Sequence, residues 1–401
     1  MAACKDRSPG RHTTHWVLAA LWLVAGTAFA DAGPLPGTDT ATDSVAVPAH
    51  VVTATEPTPP QRFGSADEQR FQQASLALRA VYEQSLASLP DDKQRHYAQR
   101  LWRLTGDPRY LALNRDYGER LLAQLASDAQ VVADPATLAA RNAELLDDYS
   151  EQTAKDRRRK AMLTSRVDMM MPRGVLFRLA QAEYHNLLGH LDAAERQCLF
   201  DSLAAVDWRG FLTDPEVLSI YAAQVANQVA FLYQLGIADL RPEVYAAFQA
   251  LYPPSRIEKL DDAEYRNWLY GLTHVVIAAS RYYQQPVTDA QVGWALEALE
   301  SQEGNMIGAV KEDILAEVAL SLQLAGREEH PLVDAIRADL MAARDPAVGI
   351  VPSVDGGVDL ADGEHRNVLA IMTLGWQGHV TPGPDLGTHF SAPRTTQGRS
   401  P

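Results

Sequence analysis

The sequence predicts an all-α protein, an (α/α) toroid in which inner and outer helices alternate. Three observations point there. First, segments that are apolar nearly all round begin near positions 172, 215, 262, 310 and 362, spaced 43, 47, 48 and 52 residues apart. A helix pair repeated at that period is the signature of a solenoid or a closed helical ring. Second, the stretches between them (191–206, 241–252, 288–302 and 330–344) are amphipathic, as outer-layer helices should be. Third, no run of residues alternates apolar and polar between hairpin turns, so strands are not expected. The one exception is GIVPSVDGGVDL at 349–360, a Gly/Pro-punctuated loop with room for a short β-hairpin. The repeats are too dissimilar for an ordinary superhelical array, which favours a closed ring whose inner helices line a central cavity.

Before position 172 the helices are marked by their starts. Ser65 and Glu68 make a capping box for a helix over 66–89. Asp91 opens a second to about 104, Pro108 sits in the first turn of a third over 107–127, and Asp134-Pro135 starts a fourth.

The chain ends read differently. Residues 1–15 carry Lys5, Arg7 and Arg11, then comes the apolar run WVLAALWLVAGTAF and an Ala28-Phe29-Ala30 end. That order describes a secretory signal peptide over 1–30. The apolar run has 14 residues, short of the roughly 20 a membrane span needs. A periplasmic or secreted protein is expected, with no stable membrane insertion after cleavage. Residues 31–62 are rich in Pro and Thr and read as a disordered tether, and 378–401 as a disordered tail. The folded domain is placed at 63–377.

Cleavage removes Cys4 and leaves Cys198 as the one cysteine of the mature chain, so the fold must be held by its core. A buried structural thiol is the expectation there. A nucleophile would need a base beside it, for which His185 and His190 are the candidates. The full chain carries a formal charge of −15, and −17 without residues 1–30. Nucleic acid needs a basic face and is excluded as a partner. The run KDRRRK at 155–160 is the local exception and is expected to be a solvated helix face.

The inner segments carry few polar residues, and those few are chemically pointed. Thr273 and His274 interrupt YGLTHVVIAAS. Asp313 and Glu317, four apart and so on one helix face, interrupt EDILAEVALSL. Glu317 needs a cation, a metal or a proton if it is buried. A salt bridge to Arg266, Arg281 or Arg366 would also satisfy it. Glu364, His365 and Asn367 head the last inner helix. Glu183, Tyr184 and His185 lie on one further inner helix, and Gln224, Asn227 and Gln228 on another, the amides more as a hydrogen-bond network than as a ligand site.

His274, Asp313 and His365 come from three successive inner helices. Three protein ligands with an open position suit a catalytic divalent metal, zinc above all. Glu317 would then be the general base of a metal-dependent hydrolase, with Glu364 a further catalytic carboxylate. No local motif such as HExxH supports that set. Two alternatives stay open. One is a metal-free carbohydrate-active enzyme, glycosidase or lyase, using Glu317 with Glu364 or Asp313. The other is a non-enzymatic periplasmic binding or assembly protein. The substrate, a small molecule, peptide or glycan, is not readable.

The segments YAAQVANQV (221–229), YGLTHVVIAAS (270–280), EDILAEVAL (312–320) and GEHRNVLAIM (363–372) resemble an uncharacterised bacterial family, domain of unknown function 3541. The resemblance runs over roughly 70–377. It implies an exported all-helical domain and assigns no activity and no catalytic residue.

Overall fold

The structure, a computed structural model, describes residues 65–390. The expected signal peptide and tether lie outside the described residues. Among the described residues there are seventeen α-helices and no strand. The first eight are α1 (Ser65–Ser85), α2 (Asp91–Thr105), α3 (Leu111–Ala133), α4 (Pro135–Asp147), α5 (Ala154–Thr164), α6 (Met170–Tyr184), α7 (Ala193–Ala204) and α8 (Trp208–Leu212). Then come α9 (Pro215–Gln234), α10 (Arg241–Leu251), α11 (Pro254–Ile257), α12 (Asp262–Ala279) and α13 (Asp289–Glu300). The last four are α14 (Glu303–Met306), α15 (Glu312–Leu324), α16 (Pro331–Ala342) and α17 (Leu360–Leu374).

Local chemistry sets the ends of the important helices. Asp214 accepts from the amides of Glu216 and Val217 ahead of Pro215, which starts α9. Asp261 and Glu264 form a full capping box on α12. Asp359 accepts from the Asp362 amide at the head of α17.

The apolar and amphipathic segments separate as their patterns require. Every residue from Asp313 to Leu324 of α15 is buried, and so is every residue from Trp268 to Ala278 of α12. On α16 only one face is buried: Leu332, Val333, Ile336, Arg337 and Leu340. The buried helices pack in succession, α6 on α9, α9 on α12, α12 on α15 and α15 on α17. Two helices from the N-terminal part extend the series, since α17 packs on α2, α2 on α3 and α3 back on α6. The amphipathic helices lie against this circuit: α10 on α9, α13 on α12 and α15, α16 on α15 and α17, α7 on α3 and α6.

The approach of α12 to α9 and α10 depends on Gly271. A Cβ built there stands 2.9 Å from Ala222 Cβ on α9 and 2.7 Å from the Phe248 ring on α10. Gly271→Ala is therefore expected to destabilise the fold by about 1–3 kcal/mol, as overpacking of a filled core does. A chemical denaturation midpoint equal to that of the parent protein would contradict the close approach.

Three expectations change. Residues 378–390, assigned from composition to a disordered tail, dock on the helices. The Thr381 amide donates to the Arg103 carbonyl, the Leu386 amide donates to the His185 carbonyl, and Leu386 is fully buried. Leu386, the partly buried Val380 and Phe390 and a few backbone bonds hold it there, and composition does not report them. The loop at 349–360 turns at Ser353, whose amide donates to the Gly357 carbonyl, without forming a hairpin. The run KDRRRK is only half a solvated face: Arg157 and Arg158 are exposed, but Arg159 is buried. Cys198 is buried on α7. His185, its candidate base, makes its bonds instead to Gln99 and to the Pro384 carbonyl.

Candidate functional site

The polar residues of the buried helices meet in one cluster centred on Glu317. From α15 its carboxylate reaches the rings of α12 and α17: Glu317 Oε1 stands 3.6 Å from His274 Nε2 and 3.8 Å from His365 Nε2. The other oxygen, Oε2, accepts from the Thr273 hydroxyl at 2.8 Å. His274 is oriented from behind by Asn227 of α9, whose Oδ1 lies 2.9 Å from Nδ1. His274 Nε2 is buried without a hydrogen-bond partner. No Arg pairs with Glu317 among the described residues; Arg281 pairs with Glu183 instead.

A second rank stands behind His365. Its Nδ1 is 3.4 Å from Nε2 of His96 on α2, and His96 Nδ1 is 2.8 Å from Glu364 Oε1. The two rings lie 5.1 Å apart between centroids. The chain of contacts thus runs Glu364, His96, His365, Glu317, His274, Asn227. The imidazoles of His96 and His365 keep 15% and 18% side-chain exposure, against 1% and 2% for Glu364 and Glu317. Solvent therefore reaches the rings before the carboxylates, while His365 Nε2 itself is buried.

Burial sets the protonation states. It pushes the Glu364 carboxyl up to about 8, beyond what the nearby cations Lys93, Arg100 and Arg95 offset. It pushes His365 down to about 3 and His96 well below the ordinary imidazole range, helped in His96 by Arg100. Burial also works to raise Glu317, but His274 and the Thr273 hydroxyl outweigh it and hold the carboxyl below its ordinary value.

These states fix the tautomers. A protonated Glu364 donates to His96 Nδ1, which places the His96 hydrogen on Nε2. That N–H donates to His365 Nδ1, which places the His365 hydrogen on Nε2, facing the Glu317 carboxylate. In water a carboxylic acid gives up its proton before an imidazolium does. Here the order is inverted, with the proton stored on the buried acid behind two neutral rings.

The expected site residues therefore divide. His274, Glu317 and His365 converge, and Glu364 joins them through His96. Asp313 is turned toward Tyr270, whose hydroxyl donates to Asp313 Oδ2 at 2.6 Å. Burial lifts the Asp313 carboxyl to about 6, with the Tyr270 bond opposing and the charge of Glu317 adding to it. The expected ligand set His274, Asp313, His365 thus has Glu317, one turn along α15, between its two histidines. Among the described residues no three of His, Cys, Asp and Glu close into a group that holds a metal as they stand.

The other inner polar residues serve the scaffold. Asn367 binds the amide and carbonyl of Val351. Tyr184 donates to Gln234 at 2.6 Å. His185 is neutral down to about pH 3 through burial, and is tied to Gln99 and Pro384. His96 was not flagged by the sequence. It lies in DDKQRHYAQR, an ordinary amphipathic helix, and only the closing of the circuit through α2 would have singled it out.

The model of the family described as domain of unknown function 3541 matches residues 71–396. No curated protein and no solved structure matches the chain.

Proposed function

We propose an enzymatic role for this chain, which belongs to the family described as domain of unknown function 3541: an exported hydrolase on an (α/α) toroid, with its acid–base centre at Glu317 and His365. The circuit of buried helices that returns through α2 and α3 to α6 supports the toroid. The basic start, apolar run and Ala28-Phe29-Ala30 end support export to the periplasm or beyond. In this reading Glu317, ionised and held by Thr273, is the general base that takes a proton from attacking water. His365 gives its Nε2 proton to the leaving group and is resupplied from Glu364 through His96. His274 orients the carboxylate.

One observation carries the reading. Two histidines from different helices converge on one oxygen of a buried glutamate, and a second buried glutamate, its carboxyl pushed up by burial, stands behind them. Groups whose surroundings push their pKa values apart are how a single site holds acid and base at one pH.

Turnover of chromogenic esters, phosphate esters and glycosides by the full mature chain tests it. Glu317→Gln is expected to lower kcat by about 10²–10⁴, the usual contribution of a positioned acid or base. Glu364→Gln, which cannot resupply His365, is expected to lower kcat and to remove the alkaline limb of the pH profile near the value of about 8 that burial gives this carboxyl. Equal rates in the parent and in Glu317→Gln across the panel would contradict the assignment. Turnover confined to glycosides would make the protein the carbohydrate-active enzyme that the inner carboxylates also allow.

A second reading is favoured by the open His274 Nε2 and by the two separations of 3.6 and 3.8 Å, both too long for hydrogen bonds. Two ligands of one tetrahedral zinc, each bonded at about 2.0–2.2 Å, stand about 3.4 Å apart. His274, Glu317 and His365 would then hold a divalent metal, with Asn227 and Thr273 orienting them. Stoichiometric zinc in the parent, lost in His274→Ala, would establish this reading and make Glu317 a ligand.

A further inference from the structure

The basic run KDRRRK forms most of α5, and the fold splits it by face. Arg157 and Arg158 point to solvent, and Lys160 pairs with Glu151 at 2.6 Å. Lys155 and Arg159, four apart, turn inward. Lys155 Nζ lies 5.6 Å from the centroid of the Tyr270 ring, and Arg159 Cζ 4.9 Å from that of Tyr221. From α6, Arg173 brings its Cζ to 5.1 Å from the same Tyr221 ring. Tyr221 sits where α9 leaves helical geometry, at φ −125° and ψ 29°, and its hydroxyl is 2.5 Å from that of Tyr149.

Arg159 and Arg173 are 5% and 2% exposed. Among the described residues neither has a carboxylate within ion-pair reach, and the Nε of each has no hydrogen-bond partner. Arg173 Nη1 touches only the soft sulfur of Met170, at 3.9 Å. Among the described residues two other buried arginines are paired with carboxylates, whereas Arg100 and Arg103 of α2, like Arg159 and Arg173, are not. Arg178, also on α6, bonds Asp128 at 2.5 Å, and Arg337 bonds both oxygens of Glu68. The chain has 51 acidic residues against 36 basic ones, so carboxylates are not scarce. Two buried guanidiniums on one ring without an anion leave a large desolvation cost unmet. An anion supplied from outside would meet it, since the planar fork of Arg binds oxyanions in two-point fashion.

The place of this pair gives it a use. Lys155 stacks on Tyr270, Tyr270 donates to Asp313, and Asp313 is one turn from Glu317. We infer that Arg159, Arg173 and Lys155 form a subsite for an oxyanion group (phosphate, sulfate or carboxylate) of the ligand that the Glu317 centre acts on. The anion site stands on the arginines alone; its use as a substrate subsite rests on the acid–base reading.

Binding to the mature full chain tests it, measured by calorimetry and by thermal shift with inorganic phosphate, sulfate, acetate and glucuronate. Chloride at matched ionic strength is the control, because sulfate and phosphate stabilise proteins generally. Saturable binding of at least one oxyanion is expected. Arg159→Gln and Arg173→Gln should each weaken it by about tenfold or more, the loss of one charge-assisted contact. Lys155→Gln, at a half-buried position, should weaken it about threefold and decides the matter if the arginine variants do not fold. Glu317→Gln should bind the anion as the parent does, which separates failure of this site from failure of the acid–base centre. A response no larger than that of chloride, or one retained in Lys155→Gln and in the folded arginine variants, would overturn the inference. Preference among the four probes separates a phosphorylated or sulfated ligand from a uronate-like one.

Discussion

Glu364→Gln is expected to stabilise the protein at neutral and alkaline pH, by about 3 kcal/mol at pH 7 and more at pH 9. Burial holds the folded-state carboxyl at about 8 against an ordinary value of 4.5. Between those two values the unfolded chain has lost the proton that the folded chain keeps. Folding therefore takes up a proton, and stability falls as pH rises, by up to about 1.4 kcal/mol per pH unit. The penalty is absent below the ordinary carboxylate range and complete above about pH 8. Glutamine has the shape of the protonated acid and no proton to lose, so it keeps the contact with His96 and removes the slope. Urea unfolding of the parent and the variant at pH 5, 7 and 9 measures the difference. Parallel profiles would show that Glu364 ionises in the fold as it does in water.

Glu317→Leu is expected to have the opposite sign, a loss of about 1–3 kcal/mol at pH 7. It leaves the buried Thr273 hydroxyl without its acceptor, and a buried orphan costs about 1–3 kcal/mol. The pH dependence is also opposite. The Glu317 carboxyl is held below its ordinary value, so its contribution is present above that value and is lost as pH falls through the lowered one. Two glutamates joined through the same pair of histidines thus respond in opposite directions to neutralisation. A merely crowded polar core would destabilise in both variants.

Much of this was legible in the sequence, for definite reasons. The alternation of all-round apolar with amphipathic helices follows from which faces are buried, and α9, α12, α15 and α17 stand where the spacing put them. Glu317 was marked because a carboxylate inside ILAEVALSL must find a partner, and it finds His274, His365 and Thr273. Asp313 and Glu317 share a helix face, and spacing alone gives no way to choose between them. The choice is made by Tyr270, which takes Asp313.

His96 escaped because nothing in its own helix is unusual. Its inward position is a property of the circuit closing, which joins α2 to α17 across more than 250 residues of chain. The inward half of KDRRRK escaped because charge runs are ordinarily solvated, and periodicity does not show which half of a short helix meets a tyrosine. The docked segment 378–390 escaped because its composition resembles that of a tail, while its place is set by backbone bonds to Arg103 and His185.

The account turns on an inverted pair: a protonated Glu364 and an ionised Glu317 connected by neutral imidazoles. Carbon-13 NMR titration of the glutamate carboxyls in the labelled chain, assigned with Glu364→Gln and Glu317→Gln, measures both directly. The expected result is one carboxyl, absent from Glu364→Gln, that titrates near pH 8, and a second, absent from Glu317→Gln, that stays ionised to below the ordinary glutamate range. Titration of both carboxyls together in the ordinary range would contradict the account.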